Sequence, residues 1–487
     1  MFEVVGNILS SGWLYSALIW IALASTVLII IVILSENRNP VKSLAWVTVL
    51  LLLPVVGLVL YVFFGRNIKN KRMISRRNRR KLRRREKSVK ADPREQGLAA
   101  ESVQLINLGR SLSGAQYYAG NTVQFFNRGA DKFAALKKDL ETAAKSIDFQ
   151  YYIIEDDETG AEIADILMRK ARQGVTVRVI YDHVGSFGTS NRFFRRMKEA
   201  GVSVVPFFKV TFPGLGTHIN WRNHRKIVVI DDAVAYIGGM NIADRYARDS
   251  SKGRIWRDTH LKVAGPVVAA MQYSFAVDWH FAARGLVEPL ENARYTGSFG
   301  ADAIKGVGSQ LITTSPTNQW SNIAMTFHKA IANARRRVFI QTPYFLPTDG
   351  LLKALQSAAL AHVDVRVMMP RKSDSATLSY ASASYVAECL RAGIKFYLFE
   401  DGMLHSKMIL VDDEMVTVGS SNFDFRSFDY NFEVNMFMYS KEANAAAVAI
   451  FREDMKHCRR IQPSEWRQRP LGHKIAESVL RLLSPVL

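Results

Sequence analysis

Two long apolar runs open the chain. Residues 13–34 carry no charge and are almost wholly apolar, and residues 44–64 repeat the pattern with Pro54 and Gly57 inside. Each run is near the roughly 20 residues that cross a bilayer core. The pattern predicts a two-helix transmembrane hairpin over residues 1–65, with Ser35–Ser43 as its short outer loop. Pro54 would break a soluble helix and is tolerated in a spanning one. Trp13, Trp46 and Tyr61 stand near the ends of the runs, where interfacial aromatics collect. The start Met1-Phe2-Glu3 lacks a basic stretch and the first run is long, so a cleaved leader is not expected.

After residue 120 the periodicity changes and the chain repeats itself. Ala-rich helical patterns at 133–145 and 323–337 precede the β-like runs Ile147–Tyr152 and Val338–Tyr344. Gly174–Val179 resembles His362–Val367, and Ala200-Gly201-Val202 resembles Ala392-Gly393-Ile394. Each half reads helix, strand, helix, strand, helix, strand, then a hairpin. The expected fold is α/β: two mixed-sheet α-β-α halves at 120–300 and 301–487, joined to the hairpin by a collar and connector at 66–119. In the last segment, Leu471–Leu487, residues Ile475, Val479, Leu482, Leu483 and Val486 share one helical face beside Lys474 and Arg481. That face suits packing on the body or contact with a membrane.

Charge sharpens this picture. The net charge is +21 and the pI about 9.9. Residues 66–90 hold fourteen basic residues against Glu86, so this collar carries +13 of the total. A basic chain seeks polyanions. Here the charge abuts the apolar runs, which places the collar on the cytoplasmic side. Anionic membrane lipid is the expected partner, at roughly 1 kcal/mol per basic residue near the surface, and nucleic acid is not. Cys389 and Cys458 form no framework and are expected to be reduced, buried thiols. No His/Cys cluster has metal-ligand spacing, so neither metal nor cofactor is expected.

The candidate chemistry is duplicated as well. His224, Lys226 and Asp231 recur as His405, Lys407 and Asp412 with the same spacing. Matching tails follow, Gly238-Gly239-Met240-Asn241 and Gly419-Ser420-Ser421-Asn422. A His and a Lys two apart on a strand share a face. The Asp lies an odd number of residues further, at a hairpin turn, so Asp231 and Asp412 are expected as supporting members of the catalytic motif rather than proton carriers. Two imidazoles and two ammonium groups suit a phosphodiester. One imidazole attacks phosphorus while the other protonates the leaving oxygen. Lys226 and Lys407 would neutralise the phosphoryl oxygens, with Asn241 and Asn422 as donors, and Gly238, Gly239 and Gly419 would allow close backbone approach. An attacking imidazole usually takes a carboxylate on its other nitrogen, and Asp258 and Glu433 are the downstream candidates in the two halves. His218, His260 and His280 could line a pocket, with ordinary structural roles the stronger expectation.

These motifs resemble the phospholipase D superfamily with two HKD motifs, over nearly all of the chain after residue 120. Asn37-Arg38-Asn39-Pro40, Ala45-Trp46, Leu52–Gly57, Phe64–Asn67, Trp221–Lys226 and Asn422–Ser427 are similar to stretches of bacterial cardiolipin synthases. The resemblance implies one active site between the halves, no metal, and a phosphohistidine intermediate. It implies His224 as nucleophile and His405 as acid and base, and a multi-pass protein of the bacterial inner membrane. The implied reaction joins two phosphatidylglycerols into cardiolipin and releases glycerol. Three alternatives stay open: a membrane phospholipase D using water or another alcohol, a nuclease on the same scaffold, and a non-catalytic lipid scaffold.

Overall fold

The computed structural model describes residues 12–35, 40–61, 73–83, 90–209, 220–248, 256–287, 290, 295 and 297–484. Its contacts divide the chain into residues 1–68 with 210–220, and residues 69–209 with 221–487.

The first unit holds helices α1 (Gly12–Ser35), α2 (Pro40–Leu52) and α3 (Pro54–Leu60). Among the described residues no helix is long and apolar enough to cross a membrane. The two spans expected at 13–34 and 44–64 are therefore not shown by the described helices. The second run is two helices, because Pro54 lacks an N–H and its ring crowds the preceding turn; Leu53 leaves helical geometry at φ −134° and ψ 67°. Ile33, Leu50 and Tyr61 form a small core, with Trp46 edge-on to Tyr61 at 5.4 Å. Most other apolar side chains of this unit face outward, Trp20 being 71% and Leu52 74% exposed. Within the collar, Arg76–Leu82 forms a short helix capped by Ser75, whose hydroxyl accepts from the Asn78 N–H. The remainder, 66–72 and 84–89, lies outside the described residues.

The second unit is built on one mixed sheet with a repeated order. The first half supplies β1 (Tyr117–Phe126), β2 (Ser146–Tyr151), β3 (Thr176–Asp182), β4 (Ser203–Phe207), β5 (Ile227–Ile230), β6 (Val234–Gly238) and β7 (His260–Ala264). The second supplies β8 (Ile304–Thr314), β9 (Arg337–Gln341), β10 (Asp364–Pro370), β11 (Lys395–Phe399), β12 (Met408–Val411), β13 (Met415–Gly419), β14 (Asn431–Tyr439) and β15 (Cys458–Arg460). From the centre outward the first half runs β1-β7-β6-β5-β2-β3-β4, and the second β8-β14-β13-β12-β9-β10-β11, with β15 at its edge. The halves join where β1 pairs antiparallel with β8.

Period-2 alternation explains why both faces of the sheet are apolar. In β5, Val228 and Ile230 pack with the first half's own helices, while Ile227 and Val229 point into a core shared by the halves. In β12, Ile409 and Val411 serve the second half's core, and Met408 and Leu410 the shared one. Four helices matter to the site: α4 (Val268–Ala283), α5 (Ala376–Arg391), α6 (Lys441–Lys456) and α7 (Leu471–Leu483). Helices α4 and α6 occupy equivalent places, each following the last strand of its half's repeat, β7 and β14.

The shared core makes a prediction. Leu410→Ala leaves a cavity where the halves meet and should destabilise the chain by ~2–5 kcal/mol, whereas Leu360→Ala, at a side chain 66% exposed, should shift stability by less than about 0.5 kcal/mol. Thermal unfolding of both variants, followed by circular dichroism, checks the contrast.

Candidate active site

Each motif histidine is held by strand pairing with the opposite half. Residues 222–223 run parallel to the start of β14, with Asn431 beside Arg222 and Phe432 beside Asn223. The His224 N–H donates to the Phe432 carbonyl at 2.9 Å. One step further along this register, Glu433 falls beside His224. In the other direction, Met403 lies beside Trp256 and Leu404 beside Arg257. The His405 N–H donates to the Arg257 carbonyl at 2.7 Å, and Asp258 falls beside His405. The acids therefore cross over. Glu433 of the second half takes His224 Nδ1 at 3.0 and 3.1 Å, and Asp258 of the first half takes His405 Nδ1 at 2.6 Å.

The carboxylates orient both rings, and Lys407 Nζ also lies 2.8 Å from His405 Nδ1. An Nδ1–H donated to a carboxylate leaves Nε2 with its lone pair free for phosphorus or a proton. Both carboxylates are themselves oriented. Ser420 Oγ donates to Glu433 at 2.5 Å and Asn431 Nδ2 at 3.0 Å, and the Thr259 N–H donates to Asp258 at 2.7 Å. Aromatic rings wall the imidazoles: Tyr152 stands edge-on to His224 at 4.9 Å, and Trp256 and Tyr246 lie 4.9 and 5.7 Å from His405.

The electrostatics couple the two sets. His224, Lys226, His405, Lys407, Asp258 and Glu433 are all buried. Burial pushes His224 down to about 4, partly offset by Glu433 and reinforced by Lys226 and by Lys407 of the other half. Burial also lowers His405 well below the ordinary histidine value, aided by Lys407, Lys226 and His224. Lys407 falls to about 8 through burial, while the nearby carboxylates act to raise it, and burial drives Lys226 well below the ordinary lysine value. Asp258 is raised to about 6 by burial, whereas Glu433 is held low because His224 and Lys226 outweigh its burial. Lys226 Nζ rests on the His224 carbonyl at 2.6 Å, and Lys407 on that of His405.

The remaining motif residues are placed differently. Asp231 and Asp412 sit at tight turns with φ near +50°. Asp231 accepts from the N–H groups of Ala144, Lys145 and Ser146, each at 2.7 Å. Asp412 does the same for Arg335, Arg336 and Arg337. They tie the hairpin to the entry of the neighbouring strand, the supporting place expected of them, and hydrogen-bond to neither imidazole. Asn241 accepts from the Ile153 N–H and donates to Tyr246 Oη at 3.0 Å. Asn422 Nδ2 donates to Asp424 at 3.0 Å, and its Oδ1 is buried with no hydrogen-bond partner among the described residues. Gly239 has a reason other than phosphate approach: a Cβ there would collide with the Asp258 carboxylate. His280 contacts the Gly285 carbonyl at 3.1 Å, and His260 is buried without a hydrogen-bond partner among the described residues. His218 lies outside the described residues.

A second layer escaped the sequence reading. Arg225, between His224 and Lys226, faces the opposite way. It pairs with Asp278 of α4 at 2.8 Å and donates to the carbonyls of Glu433 and Thr314, each at 3.2 Å. Arg257 pairs with Asp454 of α6 at 2.6 Å and donates to the Asp258 carbonyl at 2.7 Å. Each guanidinium thus grips the backbone of an orienting acid. The available signal was an acid about twenty residues beyond each orienting acid, Asp278 after Asp258 and Asp454 after Glu433.

Comparison with known proteins agrees with this arrangement. A family model described as "Cardiolipin synthase, PLD-like domain" matches residues 136–272 and 327–455. A second, "Phospholipase_D-nuclease N-terminal", matches 17–66. Cardiolipin synthase 2 of Bacillus cereus is 39% identical, over 95% of this chain and 90% of that protein. The major cardiolipin synthase ClsA of Bacillus subtilis is 38% identical, over 94% of this chain and 96% of its own length. Among solved structures, phosphatidylserine synthase of Haemophilus influenzae superposes with a TM-score of 0.60 at 15% identity, over 79% of this chain and all of that one, a likeness of fold.

Two predictions follow from the geometry. Asp231→Ala strips three N–H partners from a turn and should cost ~1–3 kcal/mol of stability while leaving turnover per folded molecule within about tenfold of wild type; thermal unfolding beside a specific-activity measurement separates the two. The second concerns pH. His224 titrates lower folded, at about 4, than unfolded, at about 6.5. The unfolded chain therefore binds the proton first as pH falls, and the stability held by neutral His224 is full above about 6.5 and is lost towards 4. The difference in unfolding midpoint between wild type and His224→Asn should shrink from pH 7 to pH 5. A constant difference would contradict the assignment.

Proposed function

We propose the following reaction for a chain that belongs to the cardiolipin synthase family with phospholipase D-like domains: it transfers a phosphatidyl group from one phosphatidylglycerol to another, giving cardiolipin and glycerol. His224 Nε2 attacks the phosphorus of the first lipid. The P–O bond to the terminal glycerol breaks, and His405, protonated, gives its proton to the departing oxygen. This leaves a phosphatidyl group on His224 and neutral His405. The terminal hydroxyl of the second phosphatidylglycerol gives its proton to His405 and displaces His224 in line. A bond to phosphorus is made and broken in each step, and the proton returns to its starting place.

The observation that carries this reading is the crossed pair of imidazole–carboxylate contacts in one buried site with Lys226 and Lys407. Glu433 stays ionised against His224, which supports His224 as the nucleophile and stabilises the charge on a phosphorylated ring. Burial depresses His405, and Lys407, Lys226 and His224 add to it. An arriving phosphodiester anion offsets those charges and lets His405 hold its proton. The lysines act as fixed cations for the charge that builds on the equatorial oxygens.

The site's substrate is a bilayer lipid, and the upstream unit supports a membrane hairpin over 1–65 with spans near 13–34 and 44–64. Its helix α1 is 24 residues long without a charge, its apolar side chains face outward, and the N-terminal family model covers this stretch. The basic collar then puts the catalytic unit on the cytoplasmic face of a bacterial inner membrane.

The test uses full-length protein with phosphatidylglycerol labelled in its terminal glycerol. Wild type should release one labelled glycerol per cardiolipin formed. His224→Ala and His405→Ala should each lose at least ~10³-fold in turnover and remain in the membrane fraction. Phosphatidic acid without cardiolipin would make the protein a hydrolase, and undiminished turnover in both variants would overturn the mechanism.

A further inference from the structure

Helix α7 (Leu471–Leu483) has two opposed faces. One is packed on the catalytic body. Glu477 is buried and paired with Arg469, and Leu480 packs against the second half's core. Arg481 pairs with Glu388 of α5 at 2.5 Å and lies over the Tyr385 ring at 4.2 Å. The other face is apolar and exposed: Leu471 71%, Ile475 56%, Val479 54% and Leu482 81%. These positions recur at i, i+4, i+8 and i+11, a continuous stripe along the helix. Such a helix gains nothing from an apolar outer stripe in water, and a contiguous exposed patch marks an interaction surface.

We propose that this stripe lies in the surface of a bilayer rich in anionic phospholipid and seats the catalytic unit on it, separately from the N-terminal hairpin. Charge complementarity selects that occupant. Of the seven basic residues at 456–487, Arg460, Arg467 and Lys474 form no ion pair with an acid among the described residues, whereas Arg469 is held by Glu477 and Arg481 by Glu388. A basic-flanked apolar face on a short helix is the pattern of in-plane insertion. The fold links this seat to the chemistry. Helix α5, on which α7 packs, begins two residues after Asp374. Asp374 accepts from Tyr344 Oη at 2.6 Å, and its charge acts on both His405 and Lys407. Docking α7 on lipid would thus hold one wall of the site at a fixed height over the headgroups. The inference rests on the reading that the substrate is a bilayer lipid.

The experiment uses the full chain in phosphatidylglycerol vesicles. Leu482→Cys, in a Cys458→Ser background that leaves only the buried Cys389, carries an environment-sensitive fluorophore, and Glu199→Cys serves as the control. Replacing part of the lipid by its brominated form should quench the label at 482 by at least ~twofold and leave the label at 199 within about 20%. In parallel, replacing Leu471, Ile475 and Leu482 together by Ser should lower phosphatidyl transfer on vesicles by ~fivefold and leave transfer in detergent micelles within ~twofold. A label at 482 that bromolipid does not quench would overturn the proposal, as would its crosslinking between two copies of the chain. Fluorescence needs no turnover, so an enzyme that failed to make cardiolipin would sink the synthase reading and leave this one standing.

Discussion

The site depends on one constraint, the parallel pairing of a short segment from each half with a strand of the other. That pairing sets Glu433 beside His224 and Asp258 beside His405. Neither half carries a complete imidazole–carboxylate pair of its own. The duplication is therefore more than a doubling of ligands: a single half would present a buried histidine with no orienting acid and a buried acid with no base. Pairing of the two halves is therefore what completes each imidazole–carboxylate contact.

The same constraint explains why the site is densely supported. Two lysines, two histidines and two carboxylates are buried together, and burial opposes every charged form among them. The scaffold answers with polar contacts behind the front row. Arg225–Asp278 and Arg257–Asp454 fasten the backbone of the orienting acids to helices α4 and α6. Ser420, Asn431 and Thr259 saturate the carboxylates. The two imidazoles and two lysines are thus held in place by the fold, and in the proposed reaction a phosphodiester would meet preset groups rather than reorganising water.

Much of this was legible in the sequence, for an identifiable reason. The repeated helix–strand order and the His–Lys pairs rest on short-range periodicity, which a chain displays openly. Asp231 and Asp412 were readable as turn residues because they lie an odd number of positions from the histidine. The crossing of Asp258 and Glu433 was not readable, since it is set by strand register between segments some 150–210 residues apart. Asp278 and Asp454 were missed because a lone acid on an amphipathic helix looks like a surface residue until its arginine is placed. Pro54 was read as tolerated within one span, and the structure instead starts a new helix there.

The central claim is that the imidazoles of both halves address one phosphorus. A structure of the protein with bound vanadate, which adopts the five-coordinate geometry of phosphoryl transfer, tests it most directly. The account predicts a single vanadium with one motif imidazole bonded at an apical position and the other hydrogen-bonded to the opposite apical oxygen, with both lysines at the equatorial oxygens. Vanadate held by one half alone, with the second histidine out of reach, would contradict it.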